Sequence, residues 1–370
     1  MGSNNLTIGF VRRGFSSGGG AESYIKRLAH GVVAKGHDVR LYTSADWPSD
    51  DWDFGRITRL DGKSAVAFAD ELEKLRQMPS WKSECDVLLS FERIWRCDIY
   101  RAGDGVHRAW LQRREETGGS LQKLSRLFNR KHASTITLEK SLFAENGAGR
   151  IIANSQMIRD EIVRFYGFAR EKIELVYNGV PVDAFQQSSG SRDKTREMLG
   201  LKDEDIAVLF AGSGWERKGL RFAIEAVETS GKEMRLLVAG RGDKQKFRSN
   251  RLRFLDVVKD MPSLYGAADI FLLPTIYDPF SNACLEALAA GLPVVTTRAN
   301  GFSEIMGNGI HGTIVDDPCD IRVMREALQT WSNPFHRGQA KAANMALARQ
   351  FDIAANVERT LEILISCAAK

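Results

Sequence analysis

The chain reads as an α/β protein made of two doubly wound domains. Three observations predict this. Short apolar runs alternate with helix-period segments from end to end, glycine-rich or charged loops follow several of those runs, and 370 residues exceed what one small core needs. Such alternation means parallel strands joined by right-handed crossovers, with helices covering both faces.

The first strand is the run Leu6 to Val11, and a loop carrying Gly18, Gly19 and Gly20 follows it. Tyr24, Ile25, Leu28, Val32 and Val33 then recur at helical spacing, which predicts a helix from Ala21 to Ala34 stopped by Gly36. His37 to Tyr42, Val87 to Ser90, Ile99 to Ala102 and Ile151 to Ala153 continue as strands, the last leading into a helix capped by Ser155. After Tyr177 a second series starts, with strands at Ala207 to Phe210, Arg235 to Ala239, Ile270 to Leu273, Pro293 to Thr296 and Thr313 to Val315. Helices are expected between them, among them Leu220 to Val227 and Ala283 to Ala290. The division is placed at residues 1–179 and 180–350, with a C-terminal helix in 351–370 expected to pack back on the first domain. Ligands of doubly wound sheets sit beyond the carboxyl ends of the strands, so two such domains are expected to face one another across a cleft.

A composition of 43% apolar and 27% charged residues excludes a disordered chain. No run approaches 18 apolar residues, and the first ten residues lack the regions of a signal peptide. Cys85, Cys97, Cys284, Cys319 and Cys367 are odd in number and show no CxxC pairing, which predicts reduced, buried thiols in the cytoplasm. The formal charge of +5 resides wholly in residues 1–179, which hold 28 Lys and Arg against 23 Asp and Glu. An anionic partner or a merely solvated basic face would each account for it.

Three loops carry the chemistry. Gly18-Gly19-Gly20-Ala21-Glu22 lets backbone approach a ligand and aims helix N–H groups at an anion. Gly212-Ser213-Gly214-Trp215-Glu216-Arg217-Lys218-Gly219 puts two adjacent cations at a helix start, which opposes the helix dipole unless an anion compensates. A diphosphate would do so, the guanidinium in bidentate fashion and the ammonium as a point charge. In Asp278-Pro279-Phe280-Ser281-Asn282-Ala283-Cys284-Leu285-Glu286 two carboxylates lie eight positions apart around a helix start. Carboxylates suit vicinal hydroxyls, and the amides of Asn282 and Ala283 are left for a phosphate. Asp104 and His107, in Ala102-Gly103-Asp104-Gly105-Val106-His107, again follow a strand.

The stretch D-P-F-S-N-A-C-L-E-A-L-A-A-G-L-P-V resembles the E-x7-E region of retaining glycosyltransferase family 4, whose members have the two-domain GT-B fold. G-G-A-E near the start, G-H-D-V at Gly36 to Val39 and N-G-V-P-V-D-A-F at Asn178 to Phe185 extend the resemblance over nearly the whole chain. It implies GT-B architecture, two Rossmann-like domains with the acceptor on the first and the nucleotide sugar on the second. It implies that Arg217 and Lys218 hold the donor diphosphate, that Glu286 binds ribose hydroxyls, and that Asp278 contacts the donor sugar. Gly19, Gly20, Gly212, Ser281, Asn282 and Ala283 join the donor set. Asp104 is assigned with Arg217, Lys218 and Asp278 to catalysis, and Glu22 and His107 to the acceptor side. Asp278 stands where the family usually has Glu, and Ser213 where many members have Arg. The G-S-x3-R-K-G arrangement is similar to that of the lipopolysaccharide-core glucosyltransferase branch.

The implied donor is UDP-glucose and the implied acceptor a glycan or lipid-linked sugar, with no cofactor and no metal. Asp51-Trp52-Asp53 looks like a metal-binding DxD but lacks the apolar strand that should precede it. Residues 107–140 hold eight Lys or Arg against three Glu, and Leu121, Leu124, Leu127 and Phe128 share a face flanked by Lys123, Arg126, Arg130 and Lys131. That pattern predicts either a helix lying on an anionic membrane, hence a peripheral place on its inner face, or an ordinary packed surface helix. Nucleic acid is not expected, since no recognition motif accompanies the charge. Neither G-x-G stretch continues as GxGxxG, which disfavours a nicotinamide enzyme. An epimerase or phosphorylase of the same fold, or a non-catalytic nucleotide-binding module, remains an alternative.

Overall fold

A computed structural model describes residues 5–15, 20–117, 130–187 and 191–368. The chain divides into two compact units, one of Met1–Tyr177 with Ala354–Lys370 and one of Asn178–Ile353.

The first unit is built on a parallel sheet of β1 (Thr7–Val11), β2 (Asp38–Ser44), β3 (Gly55–Leu60), β4 (Val87–Ser90), β5 (Cys97–Arg101), β6 (Ala148–Ala153) and β7 (Ile173–Leu175). Its order is β3-β2-β1-β4-β5-β6-β7. Ile8, Phe10 and Val11 of β1 and Leu88 and Leu89 of β4 are fully buried or nearly so, as central strands covered on both faces require. The helix Gly20–Ala34 buries Tyr24, Ile25, Leu28 and Val32. The helix Ile353–Ala368 returns to this unit, where Tyr24 donates its O–H to the Asn356 side chain at 2.8 Å. Gly31 permits the approach, because a Cβ there would lie 2.4 Å from a methyl of Val357. Ser155 caps the helix Gln156–Tyr166 as its sequence predicts, accepting from the Ile158 amide.

The second unit carries β8 (Ile206–Ala211), β9 (Met234–Ala239), β10 (Leu252–Asp256), β11 (Ile270–Leu273), β12 (Val294–Thr297) and β13 (Gly312–Val315), in the order β10-β9-β8-β11-β12-β13. Every pairing is parallel. The strand order reverses between β1 and β4 in the first sheet and between β8 and β11 in the second. Crossovers leave in opposite directions at such a point, which opens a crevice beyond the carboxyl ends of the two strands. In this chain those ends lead into Arg12 and Phe91–Glu92 in the first unit, and into Gly212–Lys218 and Pro274–Asp278 in the second.

The thiols depart from expectation. Cys85, Cys97 and Cys284 are buried, but Cys319 is exposed and Cys367 half-buried. Cys319 lies in the turn ahead of the helix Ile321–Ser332, and Cys367 in the last turn of the helix Ile353–Ala368. No described helix is long and apolar enough to cross a membrane.

Candidate active site

In the second unit the loop after β8 is stitched to the loop after β11. Ile276 donates its amide to the Arg217 carbonyl at 2.9 Å, and the Thr275 hydroxyl donates to the same oxygen at 3.0 Å. Gly219 makes this fit possible: it sits at φ +77°, and a Cβ would lie 1.9 Å from the Pro274 carbonyl oxygen. The result brings three residues from distant stretches together. Lys218 Nζ donates to Asp278 Oδ2 at 2.9 Å, Arg217 Nη1 lies 3.8 Å from the same oxygen, and Arg217 Nη1 donates to the Tyr277 carbonyl at 2.7 Å. Asp278 is buried. Burial alone would raise its carboxyl, but Lys218 and then Arg217 outweigh this and hold it below the usual carboxylate range. The anion that compensates the two adjacent cations is therefore Asp278 itself, and two cations against one carboxylate leave positive charge over.

That surplus lies beside a helix start. Ser281 caps the helix Asn282–Ala289 by accepting from the Cys284 amide, and the amides of Asn282 and Ala283 meet no partner among the described residues. Two asparagines that sequence reasoning missed fix this corner. Asn300, fully buried, accepts the amides of Ser281 and Phe302 and donates to Thr296. Asn178 donates to the Phe280 carbonyl at 3.3 Å and to Asn282 Oδ1 at 2.7 Å. An N-G-V signal marks Asn178, while nothing local marks Asn300. Glu286, half-buried one turn along the helix, accepts from the Tyr265 hydroxyl at 3.0 Å. Burial, and then the Glu286 carboxylate, raise Tyr265 well above its ordinary value, so it stays a donor. Cys284 lies under the same helix; burial pushes its thiol up to about 12, which excludes a thiolate nucleophile at neutral pH. Gly212, at φ +140°, runs along the Lys218 stem, where a Cβ would meet it at 2.7 Å. Ser213 accepts from the Arg241 amide.

In the first unit Glu22 and Asp104 are drawn together by a residue that the sequence did not flag. Arg12, immediately past β1, donates through Nη1 to Asp104 Oδ2 at 3.0 Å, and lies 3.6 Å from Glu22 and 3.9 Å from Glu92. His107 does not join them: its ring lies 3.1 Å from His132 and stacks on Trp110. Its backbone amide donates to Glu139, a fully buried carboxylate that also accepts from Arg93, the Arg108 amide and the Tyr166 hydroxyl. Gly20 opens the helix Gly20–Ala34 and is exposed. Gly19, Lys123, Arg126 and the rest of the stretch Leu121 to Phe128 lie outside the described residues, as does the Arg130 side chain. Among the basic residues nearby, Arg113 pairs with Glu161 at 2.9 Å. Asp51 of the DxD-like triplet is taken by Lys26 at 2.8 Å, and no described group of His, Cys, Asp and Glu could hold a metal ion.

Two doubly wound units, with a cation–carboxylate cluster at the switch point of the second, have the architecture of the GT-B class of sugar-transferring enzymes. Comparison with known proteins agrees: Glycosyltransferase Family 4 matches residues 100–184 and Glycosyl transferases group 1 matches residues 205–332. The chain is a glycosyltransferase carrying both domains. It is 25% identical over 333 residues to the lipopolysaccharide glucosyltransferase WaaG of Escherichia coli K12, covering 84% of this chain and 85% of that one. It is 28% identical over 382 residues to a probable transglycosylase of Burkholderia thailandensis, covering 98% of each. Among solved structures, WaaG matches with a TM-score of 0.81 at 21% identity, over 96% of this chain and 99% of the other. HepE of Anabaena, in complex with UDP-glucose, matches with a TM-score of 0.75 at 17% identity, over 98% and 100%.

Proposed function

We propose that the chain transfers glucose from UDP-glucose, with retained anomeric configuration, to a lipid-linked glycan of the lipopolysaccharide-core kind. The observation that carries this reading is the corner where Lys218 and Arg217 flank Asp278 at the start of a helix with two unpartnered amides. The barrier to glycosyl transfer is one of charge: the sugar becomes oxocarbenium-like while the departing diphosphate gains negative charge. Lys218, Arg217 and the amides of Asn282 and Ala283 supply a fixed positive field for that leaving group, at no cost of reorganisation. Asp278 orients Lys218 and presents its remaining acceptor capacity to the sugar. Glu286, braced by Tyr265, accepts from the ribose hydroxyls. Attack on the face the diphosphate leaves needs no protein nucleophile and no metal.

Asp104 is assigned to the acceptor hydroxyl, and the first unit to the acceptor. The named activity of WaaG and the UDP-glucose held by HepE support the choice of donor and acceptor class. The reading is tested by incubating the chain with UDP-glucose and deacylated lipopolysaccharide core oligosaccharide, and reading the new anomeric proton by NMR. An α-linked product is expected; a β-linked product, or no product while UDP still binds, overturns the reading.

The basic residues within 107–140 support a position on an anionic membrane surface, a basic residue near such a leaflet being worth roughly 1 kcal/mol. Reversal of Arg126, Arg130 and Lys131 to Glu should abolish cosedimentation with phosphatidylglycerol vesicles. Unchanged cosedimentation removes the membrane claim.

A further inference from the structure

We propose that Arg12 is a positioning residue for the acceptor side, fixing the Asp104 carboxylate in its ionised form and in one orientation. The inference rests on the assignment of Asp104 to the acceptor hydroxyl and goes beyond it. Arg12 is mostly buried, with 16% of its side chain exposed, whereas Asp104 is 42% exposed and reaches solvent. One guanidinium thus anchors a solvent-facing carboxylate from inside the protein. The same group, which follows β1, touches three other segments: it donates to the Phe91 carbonyl and Asp104 through Nη1, and faces Glu22 of the helix Gly20–Ala34 and Glu92 beyond β4. Arg12 therefore sits at the first sheet's switch point, where a ligand of such a sheet is held.

Three carboxylates share this cation. Burial raises the Glu92 carboxyl, with Arg12 opposing and Asp104 reinforcing the rise. Asp104 keeps the short contact. Among the described residues, Arg13 beside β1, Arg93 beyond β4, Tyr100 on β5 and Glu139 on the helix Arg130–Leu142 also act on this cluster. Arg93 donates to Glu139 and to the Gly105 carbonyl, whereas Arg12 donates to Asp104 itself. A carboxylate that must accept a proton from an attacking hydroxyl needs to enter the step ionised, with its second oxygen turned to the substrate. A guanidinium on Oδ2 favours the ionised form and fixes the plane of the carboxylate.

The test uses the full chain labelled with [γ-13C]aspartate, the Asp104 carboxyl signal being the one missing in D104N. Removing the cation in R12M should move the Asp104 titration midpoint up by about one pH unit, the low end of the usual effect because the carboxylate is partly solvated. The sign follows from the pair: a carboxylate held down by a cation rises when the cation is lost, so the acid limb of kcat for transfer from UDP-glucose moves to higher pH by the same amount. R12K, which keeps a charge but not the planar fork, should restore the midpoint while lowering kcat about tenfold at unchanged donor KM. An unmoved midpoint and acid limb in R12M overturn the proposal. Should R12M fail to fold, R12K decides, and a parent-like kcat overturns it. D104N turnover within about twofold of the parent overturns the acceptor-side assignment and this proposal together. Loss of turnover in D104N with an unmoved midpoint in R12M overturns this proposal alone.

Discussion

Lys218→Met removes the cation at the centre of the candidate donor site and strands the buried carboxylate that it pairs with. Side-chain exposures of 12% for Lys218 and 7% for Asp278 put the pair in a poorly solvated setting. Removing one partner of a buried pair costs roughly 3–5 kcal/mol, because the remaining charge is left uncompensated. Asp278 retains Arg217 at 3.8 Å and the Phe280 amide, so the low end, about 3 kcal/mol, applies. For a domain of this size that lowers the melting transition of the second unit by roughly 5–10 °C. The pH dependence fixes the cause. In the parent, Lys218 and Arg217 hold Asp278 below its unfolded value, so its contribution is present above about pH 4 and is lost as the pH falls through the depressed value. In the variant the carboxyl rises, and the deficit narrows as acid neutralises it. Differential scanning calorimetry at neutral and mildly acidic pH reads both effects, and Lys218→Met/Asp278→Asn should recover most of the loss. Turnover of UDP-glucose should fall by about 10²–10³ in either variant. A single variant that melts within about a degree of the parent at neutral pH refutes the reasoning, since Asp278 would then not depend on Lys218.

Two further substitutions separate binding from architecture. Asn178→Ala leaves the Phe280 carbonyl and the Asn282 side chain without their donor, and should raise the KM for UDP-glucose about tenfold at little change in kcat, read by initial-rate kinetics. Glu139→Ala strands Arg93 and the amides of His107 and Arg108, and should cost the first unit about 3–5 kcal/mol, read by urea denaturation with UDP affinity of the second unit unchanged.

What could be read from the chain depended on burial. The strands Ile270–Leu273 and Val294–Thr297 are covered on both faces and appear as unbroken apolar runs, so periodicity finds them to within a residue. The edge strands β3, β7 and β10 went unseen, because Gly55–Leu60 and Leu252–Asp256 are half-exposed and interleave arginine and aspartate with apolar residues. Site residues divide in the same way. Arg217, Lys218, Asp278 and Glu286 stand in dense local patterns, but their pairing spans 60 positions and no local pattern contains it. Arg12 has no pattern at all: it is one basic residue after a strand, and its meaning comes from carboxylates as far as 92 positions away. For His107 the loop position was legible but its ring neighbours His132 and Trp110, the former 25 positions away, were not.

The two units use one topological device for opposite electrostatic ends. Each parallel sheet reverses its strand order once, and each places a charged cluster at that reversal. In the first unit one arginine touches three carboxylates; in the second, two cations flank one carboxylate beside a helix start. Under the proposed reaction a hydroxyl loses a proton at one centre while a diphosphate gains charge at the other. A carboxylate close to the hydroxyl favours the first event, and a cation pair close to the diphosphate favours the second. Swapping the sign of either cluster, for instance Asp104→Lys or Lys218→Glu, should therefore cost more turnover than neutralising it, and equal losses for reversal and neutralisation would show that fixed charge is not what these clusters contribute.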